Sequence, residues 1–315
     1  MTYVILIIAL LAIVYGANWF VDGAVGVARK AKISDFVIGA VIVGIGTSLP
    51  ELIVSVKGAW DGNSSVAIGN VVGSNIFNVL AILSLTAVVS PVAITRENMR
   101  KDLPLCILLS VVLILLVFNF FVGDGRGLGR VDGLVLLAIF MWFILSSLKA
   151  GKNAPAPEEV TAVKELPLWK SLVMVAVGLA VLITGCTQFV DCAIVIAKQL
   201  GVSDAFISIT LIACGTSLPE LAASLAAAAK KKTQLALGNI IGSNIFNIAL
   251  ILGTSSQVIT LHSPNITIVD YAVMTGAVVL TMILGVKGRL SRLGGVVMFL
   301  CFVAYNVYLF QTQMV

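Results

Sequence analysis

The sequence predicts an all-α polytopic membrane protein of ten transmembrane helices, built as two inverted five-helix repeats with helices 2 and 7 broken. Three observations predict it. Of 315 residues, 59% are hydrophobic and 11% charged, where soluble domains carry roughly 25% charged residues. The string Gly46-Thr47-Ser48-Leu49-Pro50-Glu51 recurs as Gly215-Thr216-Ser217-Leu218-Pro219-Glu220, at an offset of 169 residues. Basic residues gather in alternate connections between the apolar runs.

The spans follow in order from runs long enough to cross a bilayer. The first repeat, residues 1–150, carries them near 2–28, 36–57, 66–90, 104–122 and 131–149. The second, residues 168–315, carries them near 171–198, 205–229, 235–258, 268–286 and 293–311. Between them, 151–167 is polar and holds Pro155 and Pro157, the composition of a linker. The first run lacks a basic leader and a small-residue cleavage site and reads as a retained span.

Charge sets the orientation. Odd-numbered connections hold Arg29, Lys30 and Lys32; Arg96, Arg100 and Lys101; Lys149, Lys152, Lys164 and Lys170; Lys230, Lys231 and Lys232; and Lys287, Arg289 and Arg292. Even-numbered connections hold only Lys57, Arg126, Arg130 and Lys198. This bias of 16 to 4 places the linker in the cytoplasm and both termini outside a cytoplasmic membrane. Five spans per repeat is an odd number, so the second repeat enters the membrane inverted. Equivalent loops have exchanged charge accordingly: Asp61-Gly62-Asn63 becomes Lys230-Lys231-Lys232. The surplus of +5 lies in short loops and forms no basic face, so no nucleic-acid partner is expected.

The remaining chemistry-bearing residues exclude more than they suggest. Cys106, Cys186, Cys192, Cys214 and Cys301 are scattered through apolar runs without metal-ligand spacing and read as small buried residues. His262 reads as a solvated loop residue. Neither repeated string offers a nucleophile–base pair or an HExxH zinc site, so no enzyme is expected.

The repeated strings carry the function. An acid inside an apolar run is costly and marks a functional site. Pro50 has no N–H and its ring clashes with the Gly46 carbonyl, which breaks the helix. The carbonyls freed around Gly44 to Thr47 then need a partner that a bound cation can supply. Thr47, Glu51 and Ser55 share one helical face, as do Thr216, Glu220 and Ser224. A second string follows each acid, Gly69 to Asn78 and Gly238 to Asn247. It sets out the stripes Asn70, Ser74, Asn78 and Asn239, Ser243, Asn247, beside glycine rows that allow helices to approach closely. No basic residue lies in these four spans away from their ends, so a structural ion pair has no partner there. The donors are hard oxygens. Ca²⁺ takes 6–8 of them, Mg²⁺ demands a tighter octahedron, and transition metals want Cys or His. Calcium and sodium both remain open on the residues alone.

At these motifs the chain resembles the calcium/cation antiporter superfamily, and within it the prokaryotic sodium/calcium exchangers. The proton/calcium branch carries Gly-Asn where this chain has Gly-Thr ahead of its acid. The resemblance implies exchange of Ca²⁺ for Na⁺ across the cytoplasmic membrane by alternating access, normally extruding Ca²⁺. The two ions and the bilayer would be its partners, with no cofactor and no obligate protein partner. Proton/calcium antiport, potassium-dependent sodium/calcium antiport and, in a different class, a cation channel are the alternatives. Residue by residue, the resemblance implies Glu51 and Glu220 as calcium ligands with the carbonyls of Thr47 and Thr216. Ser48, Ser74 and Asn78, with Ser217, Ser243 and Asn247, would complete flanking sodium sites, helped by the carbonyls of Gly44 and Ala213. Some relatives carry Asp where this chain has Asn247. The long first and sixth spans look like the family's sliding gate helices, with Gly16, Phe20 and Asp22 matched by Gly185, Phe189 and Asp191.

Overall fold

Helices occupy the described parts of the apolar runs, the second run split in two, in a computed structural model that describes residues 2–118, 127–153, 166–200, 215–262 and 266–313. They are α1 (Thr2–Ala31), α2 (Asp35–Thr47), α3 (Leu49–Trp60), α4 (Ser64–Val89), α5 (Leu103–Val117) and α6 (Arg130–Asn153). After the linker come α7 (Leu168–Gln199), α8 (Leu218–Ala229), α9 (Thr233–Val258), α10 (Ile268–Gly285) and α11 (Arg292–Gln313). Among the described residues, seven helices are long and apolar enough to span a bilayer, and α2 with α3, bent by 47°, makes an eighth. The fourth expected span is helical over Leu103–Val117, and its last expected residues lie outside the described ones. The seventh is described from Gly215 onward. Helix α6 continues to Asn153, so the first residues of the expected linker stay helical; the rest of it lies outside the described residues.

Burial separates a centre from a periphery. The spanning windows of α9 and α4 are 94% and 78% buried, against 28% in α1 and 22% in α7. The two polar stripes therefore run through the middle of the molecule. Helices α1 and α7 expose Tyr3, Ile7, Leu11, Trp169 and Val173, the apolar surface that a bilayer covers. Cys106, Cys186 and Cys192 are buried as expected, whereas Cys301 is exposed. It lies on the peripheral α11, where a weakly polar thiol can face lipid at little cost. Cys214 lies outside the described residues.

Helices α1 and α7 cross through equivalent glycines. A Cβ on Gly16 would meet the Leu182 backbone nitrogen at 2.6 Å, and one on Gly185 would meet the Ile13 nitrogen at 3.0 Å. Ile13 and Leu182 are themselves 169 positions apart. On α9, Gly238 and Gly242 admit the backbone of α2 at Phe36 and Ala40. The partners that symmetry gives Gly69 and Gly73, residues 205 and 209, lie outside the described ones.

The connections pair selectively. Val92–Ala93 (β1) forms a two-stranded antiparallel ribbon with Arg289–Leu290 (β2). Gln234 Nε2 donates to the Ala93 carbonyl, and Lys232 pairs with Asp35 at 3.2 Å. At other connections Leu128 bridges Leu261, and the Ser64 hydroxyl donates to the His262 carbonyl at 3.0 Å. Each of these contacts joins odd-numbered connections to odd, or even to even.

Candidate cation site

The break arises at the same residue in each copy. Ser48 and Ser217 have φ, ψ of −85°, 8° and −88°, 5°, outside the helical well, and a new helix starts at Leu49 and at Leu218. Pro50 and Pro219 fall in the first turn of that new helix, where no backbone N–H is needed. Proline thus starts the second half-helix as well as ending the first. The same turn holds Glu51 and Glu220, so each carboxylate sits at the positive end of a helix dipole. Both are buried, at 1% and 0% exposure.

Each acid is held by the serine of the other copy. Ser48 Oγ donates to Glu220 Oε1 at 2.7 Å, and Ser217 Oγ to Glu51 Oε1 at 2.9 Å. These serines occupy N-cap positions yet make no capping bond; their hydroxyls serve the acids instead. Ser217 Oγ also lies 3.1 Å from Ser74 Oγ, and Ser243 Oγ donates to the Gly44 carbonyl at 3.3 Å. No described basic residue pairs with either glutamate.

Eight buried side-chain oxygens in the described residues have no hydrogen-bond partner, and four belong to two equivalent pairs here: Glu51 and Glu220 Oε2, Asn78 and Asn247 Oδ1. A buried carboxylate oxygen without a donor is costly. Two acidic and two amide oxygens, with serine hydroxyls beside them, are a donor set for a hard cation.

The groups around the acids are also hydrogen-bonded among themselves. The Gly44 carbonyl accepts from the Ser48 N–H at 3.1 Å as well as from Ser243, so the break does not leave it bare. Thr47 Oγ1 lies 3.0 Å from the Val43 carbonyl and 3.2 Å from Asn239 Oδ1. Thr216 Oγ1 lies 3.5 Å from Asn70 Oδ1. The Asn70 amide donates to Ser55 Oγ at 2.9 Å and to the Glu51 carbonyl at 3.3 Å; Asn239 makes the same bonds to Ser224 Oγ and the Glu220 carbonyl at the same distances. These asparagines tie the acid-bearing helices to α4 and α9. Ala213 lies outside the described residues.

Two features were missed from sequence. Asn78 lies in the first turn of a π-helical stretch, Phe77–Leu83, and Asn247 begins another, Asn247–Leu252; such wide turns are frequent at functional sites. Asn75 and Asn244 bond to Asn247 and Asn78 at 3.0 Å. They stand inside the repeated string but off its i, i+4 stripe, and their duplication was the available signal.

Comparisons with known proteins give the family. The profile of the family described as sodium/calcium exchanger protein matches residues 1–149 and 170–311. The sodium/calcium exchanger MaX1 of Methanosarcina acetivorans is 30% identical over 98% of each chain. The inner membrane protein YrbG of Escherichia coli is 37% identical over 79% of this chain and 77% of its own. A structure of the sodium-calcium exchanger NCX_Mj, soaked with zero Na⁺ and Ca²⁺, superimposes with a TM-score of 0.84 at 32% identity, over 98% of each chain. With a doubled acidic motif at its buried centre and matches along its whole length, this chain belongs to the sodium/calcium exchanger family of membrane cation transporters.

Proposed function

We propose that the protein exchanges Ca²⁺ for Na⁺ by alternating access and extrudes Ca²⁺ from the cytoplasm. The observation that carries this reading is the set of four unpartnered buried oxygens on Glu51, Glu220, Asn78 and Asn247. Glu51 and Glu220 bind the dication, with the Thr47 and Thr216 carbonyls. Ser48, Ser74, Ser217, Ser243, Asn78 and Asn247 serve Na⁺, together with the carbonyls of Gly44 and Ala213. Two ionised glutamates balance one Ca²⁺, so the calcium-loaded site is neutral. With three Na⁺ it carries one positive charge, and an inside-negative potential then drives Na⁺ inward and Ca²⁺ outward, by about 2.3 kcal/mol per 100 mV.

The selective pairing of connections supports ten alternating spans, and the charge bias supports the orientation, with inverted repeats at 1–150 and 168–315, the linker cytoplasmic and both termini outside a cytoplasmic membrane. Helices α1 and α7, joined through their glycines at the periphery, move as one body against the site.

The test is ⁴⁵Ca²⁺ uptake into proteoliposomes preloaded with Na⁺, compared with H⁺ or K⁺ gradients of equal size. Uptake that follows the Na⁺ gradient and responds to a clamped potential is expected. Uptake driven by H⁺ alone, or Ca²⁺ flux needing no countergradient, would overturn the reading in favour of proton antiport or a channel.

A further inference from the structure

The Asn75 and Asn244 amides are fixed by groups that cannot reverse their polarity. Asn75 Nδ2 donates to the backbone carbonyl of Asn244, and Asn244 Nδ2 to that of Asn75, both at 3.3 Å. A carbonyl only accepts, so each amide must turn its nitrogen to it. The Asn75 oxygen then points the other way, to Asn247, 3.0 Å from its Nδ2; the Asn244 oxygen meets Asn78 Nδ2 at the same distance. Asn247 and Asn78 are thereby committed to offering nitrogen at these contacts. Their own Oδ1 atoms are left buried and without a donor. All four side chains are at most 2% exposed, so water does not relieve the constraint.

We propose that Asn75 and Asn244 are positioning residues for cation binding: each locks the ligand amide of the opposite repeat so that it presents oxygen, not NH₂, to the ion. A freely turning amide would place a partial positive charge against the cation in half of its orientations. The lock crosses between repeats, Asn75 acting on Asn247 and Asn244 on Asn78, so an ion bound at the centre draws on both repeats through each ligand. This rests on the cation site proposed above.

The experiment measures Ca²⁺ half-saturation and maximal rate of exchange in proteoliposomes. Removing an outer partner of a metal ligand typically costs 10–100-fold in affinity, and Asn75→Ala should raise the half-saturating Ca²⁺ concentration about tenfold while changing the maximal rate less. The decisive readout is the pairing. Asn75→Ala adds nothing to Asn247→Ala, whose amide is already gone, yet multiplies the effect of Asn78→Ala; Asn244→Ala shows the reverse preference. Asn75→Asp is the rescue: a carboxyl oxygen still accepts from the Asn247 amide in either protonation state, which keeps half-saturation within about threefold of the parent. Should Asn75→Ala fail to fold, Asn244→Ala and Asn75→Asp carry the test. Equal multiplication with both ligand variants would make the role merely structural and overturn the proposal. If Glu51→Gln also leaves Ca²⁺ exchange intact, the cation site itself is wrong; if Glu51→Gln abolishes exchange while Asn75→Ala behaves as the parent, only the positioning role fails.

Discussion

The hydrogen bonds that hold the two acids at the centre of the molecule recur in both repeats, and the contacts at its ends do not. Asn70 to Ser55 and Asn239 to Ser224 both measure 2.9 Å; the two serine–glutamate bonds differ by 0.2 Å, at 2.7 and 2.9 Å. At the ends, Lys230 of the loop after α8 pairs with Asp22 of α1 at 2.6 Å. The positions equivalent to these two are Asp61 and Asp191, a pair of like charges. The difference separates two constraints. In the proposed cation site the centre offers an ion matching donors from each repeat, so both copies keep the same acids, serines and asparagines. On the proposed inversion, the ends of the two repeats face opposite sides of the membrane, where the distribution of Lys and Arg sets orientation, so their charges have to diverge.

Breaking the centre should have the largest effect. Glu51→Gln and Glu220→Gln keep the shape of the site but leave a dication with one compensating charge. Each should abolish Ca²⁺ exchange in proteoliposomes, with the protein still folded, because uncharging a buried carboxylate relieves its desolvation cost. The symmetric geometry further requires the two losses to be similar. Parental uptake in either variant would remove that glutamate from the site.

Next come the serines, which test the equality directly. Ser48→Ala and Ser217→Ala each delete one hydrogen bond to a carboxylate, worth roughly 1.5–3 kcal/mol, so Ca²⁺ half-saturation should shift about tenfold or more in both. A shift in one variant alone would show that the pairing, alike in distance, is unlike in energy.

How much of this was legible in the sequence follows the same division. The acids, the break and the stripes were readable because they are local patterns repeated at one offset: proline beside acid, polar residues four apart, glycines four apart. The bonds between copies were not readable. Nothing along the chain says that Ser48 reaches Glu220 and not Glu51, since that depends on how α3 and α8 meet. The π-helical turns at Asn78 and Asn247 carry no residue signature either. The Gly44 carbonyl was expected to be free on the ground that Pro50 removes a donor. The Ser48 N–H and Ser243 hydroxyl supply others, and only the fold brings the second of them near.

Altering the ends should matter less. The Asp22 and Lys230 side chains are 48% and 30% exposed, and an ion pair so exposed contributes about 0–1 kcal/mol. Asp22→Asn should therefore change exchange rates by no more than about threefold, and the change should vanish in about 1 M salt, where the screening length falls to about 3 Å. Asp61→Lys sharpens the comparison by putting at position 61 the charge that Lys230 carries at the equivalent position, at the cost of the exposed Lys57–Asp61 ion pair. Its effect should be equally small and equally sensitive to salt. An effect of either variant that survives high salt would mean that these ends do more than exchange charge.

The last difference is read in stability and not in exchange, where an acid stands at one end of the molecule and a tyrosine at the equivalent position. Asp102, immediately before α5, corresponds to Tyr271 at the offset of 169. Burial pushes its carboxyl up from 3.8 to about 6, and nearby Glu97 adds to the rise, while the Asn98 amide at 2.9 Å and the Lys101 charge oppose it. A raised folded-state value means that the folded protein holds the proton more tightly than the unfolded chain does. Stability therefore falls as pH rises from about 4 through 6, and the whole penalty is present above that. A shift of two units is worth at most about 3 kcal/mol, and partial solvent access reduces it to about 1–2 kcal/mol. Asp102→Asn keeps an oxygen for the Asn98 amide and removes the charge. In detergent at pH 8 the variant should melt a few degrees above the parent, and at pH 4.5, where the parent is already protonated, the two should melt together. A gain of equal size at both pH values would trace the effect to packing against α5 and not to the buried charge.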